Sequence, residues 1–194
     1  MATQDMPIKP IRKPCAADVA KYMLVKKGSL TGYQLEKLLY YCQAWSLAVN
    51  KKSLFDDEIR AFENGPVVPS VSYQHQGRMT VMPSHISGDI NALSDSDISL
   101  IDAVLDAYDG LSGDDLVELS HSEDPWPTYW NHRTGRSSAA IIPIDAIQAY
   151  YSKLLAADDY VKAAHHVPVF DHPKNMYVSS ADFDWLVDYL ETEE

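Results

Sequence analysis

The stretch from Thr31 to Val68, TGYQLEKLLYYCQAWSLAVNKKSLFDDEIRAFENGPVV, constrains the fold of this chain more than any other. It opens with two helix-start signals. Thr31 is placed to accept a hydrogen bond from the first free amides, and Gln34, three residues on, is placed to reach back to the Thr31 amide. Apolar residues then recur at Leu35, Leu38, Leu39, Cys42, Trp45 and Val49, which is the spacing of one broad helical face. A helix to about Asn50 follows from this, then a polar turn, an acidic connector and the tripeptide Gly65-Pro66-Val67. Proline biases the residue before it away from the helical region, and glycine takes backbone angles closed to other residues. Gly65-Pro66 therefore reads as a turn between two helices. Nothing in the segment carries a catalytic motif; it reads as a rigid platform.

The rest of the chain is punctuated in the same way. Residues 15–27 place Ala16, Val19, Ala20, Met23 and Leu24 on one face, and Gly28 stands where a helix ends. Leu54 to Phe62 suits either a short strand or an irregular connector. Pro69 fits the first turn of a short helix reaching about Gln76, and 77–93 reads as a loop broken by Gly77, Pro83 and Gly88. Ser94 with Asp97, and Ser112 with Asp115, are start signals for two further helices, the first closed by Gly110. Pro143 or Asp145 starts another, running to about Ala156, and a short helix follows near Asp158–Ala164. Beyond the breaks at Pro168 and Pro173, Ser179 with Asp182 starts an amphipathic helix carrying Phe183, Leu186, Val187 and Leu190. The fold class is mostly α: a compact helical globule of about seven or eight helices, with at most a small β element near 55–62 and 79–82. Residues 1–14 read as a flexible basic arm, 15–164 as one helical domain, and 165–194 as a proline-broken linker with its C-terminal helix.

Charge divides the chain unevenly. The net charge is −12, yet residues 1–52 carry nine Lys/Arg against three acids, and residues 53–194 carry seven against 25. An acidic body of this kind repels nucleic acid and draws in a basic protein; it also serves plain solubility. The arm Lys9-Pro10-Ile11-Arg12-Lys13-Pro14 has no interleaved aromatics, so nucleic-acid binding is not expected. No apolar run approaches the ~18–20 residues of a membrane helix. The N-terminus has no secretory signal, so a cytoplasmic protein is expected, with Cys15 and Cys42 as reduced thiols on separate helices.

The candidate chemistry is sparse. Ser120-His121-Ser122-Glu123-Asp124 brings a serine, a histidine and acids together in sequence, which invites a hydrolase reading. Neighbours on a helix do not face one another, however, and no Gly-x-Ser-x-Gly turn exposes a nucleophile. His121 is read as structural, closing a helix C-terminus. His165, His166, Asp171 and His172 match no zinc spacing, and the scattered glycines cannot cradle a phosphate, so neither metal nor cofactor is expected. Among the aromatics, Tyr41, Trp45 and Leu38 share a helix face and Tyr40 is turned away from it. Trp126, between Pro125 and Pro127, is excluded from a helix on this reading and either plugs the core or stands at the surface. Tyr40, Trp126 and Trp130 are the candidate anchors for a partner, because aromatics dominate interface energetics.

Two blocks carry a family resemblance. The first is Leu35-x-Lys37-Leu38-Leu39-Tyr40-Tyr41, with Trp45, Leu54-Phe55-Asp56-Asp57-Glu58-Ile59 and Asn64-Gly65-Pro66-Val67-Val68. The second is LVELSHSEDPW from Leu116 to Trp126, with His121, Pro125 and Trp126 as its fixed points. In this order they resemble the Panacea domain, the SocA-like antitoxin domain also found in phage-associated GepA proteins, across roughly residues 16–160. The resemblance implies an antitoxin, not an enzyme: a protein that binds a cognate toxin encoded in the same operon. Delivery of that toxin to a AAA+ protease is a route known in part of the family, and self-association is compatible with it. The rival readings are a hydrolase using His121 and nearby acids, and a phage-derived protein that binds a host factor.

Overall fold

The computed structural model describes residues 12–130 and 140–170. Among them are eight α-helices and two small antiparallel ladders. The first helix, α1 (Ala16–Lys27), begins at Cys15 and ends at Gly28, whose φ of 79° supplies the left-handed turn that stops it. Buried Asp18 anchors its first turn. The carboxyl accepts from both guanidinium nitrogens of Arg12 and from the amides of Cys15 and Asp89. Burial opposes charge on Asp18, but the Arg12 guanidinium and the two amides outweigh it and hold the carboxyl well below the usual range.

Strand β1 (Leu30–Thr31) leads into α2 (Gly32–Asn50), which starts as its sequence indicates: Thr31 Oγ1 accepts from the Gln34 amide, and Gln34 Oε1 accepts from the Thr31 amide. The outcome for α2 differs from an amphipathic platform. Every residue from Leu35 to Val49 is buried. The helix is the axis of the molecule, packed by α1, by α4 (Asp95–Ala107), by α5 (Gly113–Ser122) and by α7 (Ile144–Leu155). Its polar face can be buried because the amide and hydroxyl side chains on it meet partners. Gln43 Oε1 accepts from the Leu54 amide while Nε2 donates to Phe55 O, and Ser46 Oγ donates to Lys52 O.

Strands β2 (Arg60–Phe62) and β3 (Gly65–Val67) form a hairpin, with Ala61 opposite Pro66. The sequence reading of Gly65-Pro66 as a turn is corrected here: the turn lies at Glu63-Asn64, and Gly65–Val67 is strand. Proline is tolerated because the Ala61 amide faces the other way, donating to Ala140 O at 2.8 Å. Pro66 thus occupies a position where no ladder donor is needed. The expected β element near 55–62 and 79–82 also proves to be two separate ladders, since β4 (Thr80–Val81) pairs with β1 rather than with β2.

Between these, α3 (Pro69–His75) starts on proline, and two 3₁₀ turns, Pro83–His85 and Ile90–Ala92, lead to α4. The start signals at Ser94 and Ser112 both form reciprocal caps. Helix α4 stops at Ala107, earlier than Gly110 suggests. A second correction concerns Trp126, which sits inside the one-turn helix α6 (Pro125–Tyr129). Prolines are compatible with a first turn because its amides have no intrahelical acceptor in any case. Helix α8 (Asp159–Ala164) is capped by Asp158. Most of the arm 1–14, and Asp171, His172 and the expected helix from Ser179, lie outside the described residues.

Candidate functional site

Three polar constellations surround α2, and the motif residues of the sequence build them. The first is around Lys37. Its side chain is 1% exposed, and Nζ donates to Pro66 O at 2.8 Å. Burial pushes its pKa down from 10.5 to about 7, against the opposing pull of Glu36. Gly65 is shaped around it. With φ at +96°, an added Cβ would meet Ser120 Oγ at 2.7 Å and Lys37 Cε at 2.8 Å. The Leu-x-Lys block, Gly-Pro and the Ser-His block therefore meet at one point. On the adjacent position of α2, Glu36 Oε1 lies 2.7 Å from His75 Nε2, and both side chains are buried.

The second constellation centres on Glu123, 1% exposed. Tyr151 and Tyr41 donate to its Oε2 at 2.6 and 3.0 Å, and His165 Nδ1 lies 3.4 Å from Oε1. Burial, reinforced by Glu123, pushes the Tyr41 and Tyr151 hydroxyls well above their ordinary pKa. The bond to Glu123 raises the His165 pKa. Tyr41 stacks on Tyr108 with centroids 4.3 Å apart, and the Tyr108 hydroxyl accepts from Trp45 Nε1 at 3.0 Å. These contacts join α2, α4, α5, α7 and α8 in one buried network.

The third is a stack of rings. His121 lies flat on Trp126 at 3.7 Å, and Trp126 lies flat on Trp130 at 5.7 Å. Trp126 Nε1 donates to Phe62 O at 2.8 Å, which ties α6 to the hairpin.

Each candidate residue can now be placed. Leu35, Leu39 and Trp45 have no exposure and Leu38 has 5%. Gly65, Pro66 and Pro125 are buried, while Val67 and His121 are half-buried. Of the three candidate anchors, Tyr40 is 1% and Trp126 6% exposed, so neither presents a ring to a partner; Trp130 is half-buried. The surface position assumed for Tyr40 fails because α2 is enclosed on all sides. The serine and histidine of the hydrolase reading do not form a nucleophile–base pair. Ser120 Oγ donates to Val117 O, and the His121 ring is stacked on Trp126. Cys42 is buried, and Cys15 is half-buried at the start of α1 rather than within it. Among the described residues no group of His, Cys, Asp and Glu could hold a metal ion, and no helix is long and apolar enough to cross a membrane.

Sequence reasoning did not single out Glu36, His75 or the structural role of Glu123. Glu36 was hidden by its place on an apparently solvated face. Glu123 was visible only as one acid of the Ser-His-Ser-Glu-Asp run.

Comparison with known families gives a match over the central part of the chain. Residues 35–127 match the family described as antitoxin SocA-like, Panacea domain. Neither a curated protein nor a solved structure matches the chain. The matched span runs from the first helical turn of α2 to the middle of α6, and so includes both motif blocks.

Proposed function

We propose that this chain, which carries an antitoxin SocA-like Panacea domain over residues 35–127, is an antitoxin that neutralises a cognate protein toxin by direct contact. The family match is the observation that carries this reading. The geometry agrees with it in one respect: most of the motif residues that carry the resemblance lie in the interior. Lys37, Gly65, Pro66, Pro125 and Trp126 lock α2, the hairpin and α6 together, which leaves the outer faces of the domain to vary with the partner. The toxin is the product of a gene in the same operon, and neutralisation proceeds by masking or by delivery to a AAA+ protease.

The test is co-expression of the full chain with the product of the adjacent reading frame, in cells with and without their AAA+ proteases. Growth should be restored and the two proteins should co-purify. Restored growth with no detectable complex, even without proteases, defeats direct neutralisation.

His121 separates this reading from the hydrolase. His121→Asn removes the stack on Trp126, costing about 0.5–1.5 kcal/mol of stability, and a folded mutant should protect cells as the wild type does. Loss of a general base would instead cut a rate by about 10²–10⁴-fold. A folded mutant that still binds the partner but no longer protects would establish the enzyme.

A further inference from the structure

A long groove of about 1200 Å³ runs along the outer side of α4. One wall is the α4 face formed by Ser96, Ser99, Ala103, Asp106 and Ala107, at the three- and four-residue spacing of a single helical stripe. The opposite wall is the Asp159, Lys162, Ala163 and His166 face of α8 and the residues just after it. Leu100 and Leu155 form the floor, and Val169 stands 85% exposed at one end. The α4 wall extends about 16 Å, or three turns. Its side chains are small, so the backbone of a third helix can approach closely.

Charge identifies the occupant. Asp102, Asp106 and Asp159 line the groove, against Lys162 alone among the lysines and arginines. Asp102 is held by Lys26 and by the Tyr22 hydroxyl. Asp106 and Asp159 are exposed and have no salt bridge among the described residues. The chain's own residues 171–194 are a poor complement, since they hold seven Asp/Glu and one lysine.

We propose that this groove takes a cationic amphipathic helix of a protein partner, with its apolar stripe on Leu100 and Leu155 and its Lys/Arg residues beside Asp106 and Asp159. On the antitoxin reading, on which this inference rests, that helix belongs to the toxin. Three turns of helix fill the space between two helical walls, and burying an apolar stripe there removes this recess from water. The aspartates select the sign of the partner and accelerate encounter.

The test uses the full chain and two labelled probe peptides of about 14 residues, one of Lys and Leu and one of Glu and Leu in the same helical pattern, read by fluorescence anisotropy. The Lys/Leu peptide should bind and the Glu/Leu peptide should not. Asp106→Lys combined with Asp159→Lys, both exposed, should weaken binding by about tenfold or more, and Ala103→Trp should block it. Equal binding of both peptides, no binding of the Lys/Leu peptide, or equal binding by the folded variants overturns the proposal. Two other occupants have their own signatures. Leu186→Asp raising peptide affinity tenfold would assign the groove to the chain's own C-terminal segment. Ala103→Trp converting a dimer to a monomer in sedimentation would assign it to a second copy. Either result overturns the proposal. The same variants in the co-expression assay keep the two claims apart: a wild type that does not bind the adjacent gene product defeats the antitoxin reading, whereas a wild type that binds it with variants that bind equally defeats only the groove.

Discussion

Two buried residues hold the motif blocks together, and each has a measurable consequence. Gly65 combines a φ of +96° with a neighbourhood that has no room for a Cβ. Gly65→Ala should therefore destabilise the protein by about 1–3 kcal/mol in urea unfolding, from backbone strain and overpacking together. An unchanged midpoint would mean that the hairpin yields freely. Lys37 is the second. Its folded pKa of about 7 lies below the ordinary 10.5, so between these values the unfolded chain holds a proton that the folded chain lacks. Stability must therefore rise with pH across this window, by at most roughly 5 kcal/mol, and the contribution disappears as pH falls through 7. Two other groups work against this trend at its edges. His165, with its raised pKa, contributes stability below 6.5 that is lost as pH rises, and the buried tyrosines oppose the trend above 10. Lys37→Met isolates the effect: the difference in unfolding free energy between wild type and mutant should change steeply between pH 7 and 10, with the mutant gaining least at pH 10. A pH-independent difference would show that Lys37 keeps its proton in the folded protein and is not desolvated.

Among the elements, the helices were the legible part. Thr31–Gln34, Ser94–Asp97 and Ser112–Asp115 all cap as their spacing indicates, because a cap is a local hydrogen bond between residues three apart. Strands near 55–62 and 79–82 were legible, but their pairing into two separate ladders was not, because two- and three-residue strands have no periodicity that sets a register. Nor was the close approach of the loop 83–92 to α1. A Cβ on Gly88 would lie 2.1 Å from Ala17 O, a backbone atom that cannot move without shifting the helix. Gly88→Ala should cost at least about 1–3 kcal/mol and should raise amide exchange in the first turns of α1 more than elsewhere. Exchange unchanged in α1 would show that the loop, not the helix, gives way. α6 teaches a related lesson. Pro125 and Pro127 exclude a long helix, yet they suit a single turn, and the ring of Trp126 is then fixed by His121 and by the Phe62 carbonyl.

Over the whole molecule, charge asymmetry and burial act on different problems. The acidic excess beyond residue 52 bears on encounter with a basic partner. The association rate with the adjacent gene product should fall severalfold as salt rises from about 0.05 to 0.3 M, with the dissociation rate changing less; a salt-independent association rate would remove long-range steering from the account. The sequence by itself determined the helical class, the caps, the sign of the surface and the motif blocks, because all of these are properties of composition or of residues within one turn of each other. Only the tertiary structure decided that α2 is enclosed on every side. A helix face rich in Glu36, Lys37, Gln43 and Ser46 looks solvated until His75, Pro66 and the 52–55 backbone are brought against it from positions six to 39 residues away. Other distant contacts withdrew Tyr40 and Trp126 from the surface, against Tyr151 and the Phe62 carbonyl respectively, and the approach of α8 to α4 created the groove. A buried polar residue is tolerated only where its partner arrives, and that arrival is a property of the fold, not of any segment.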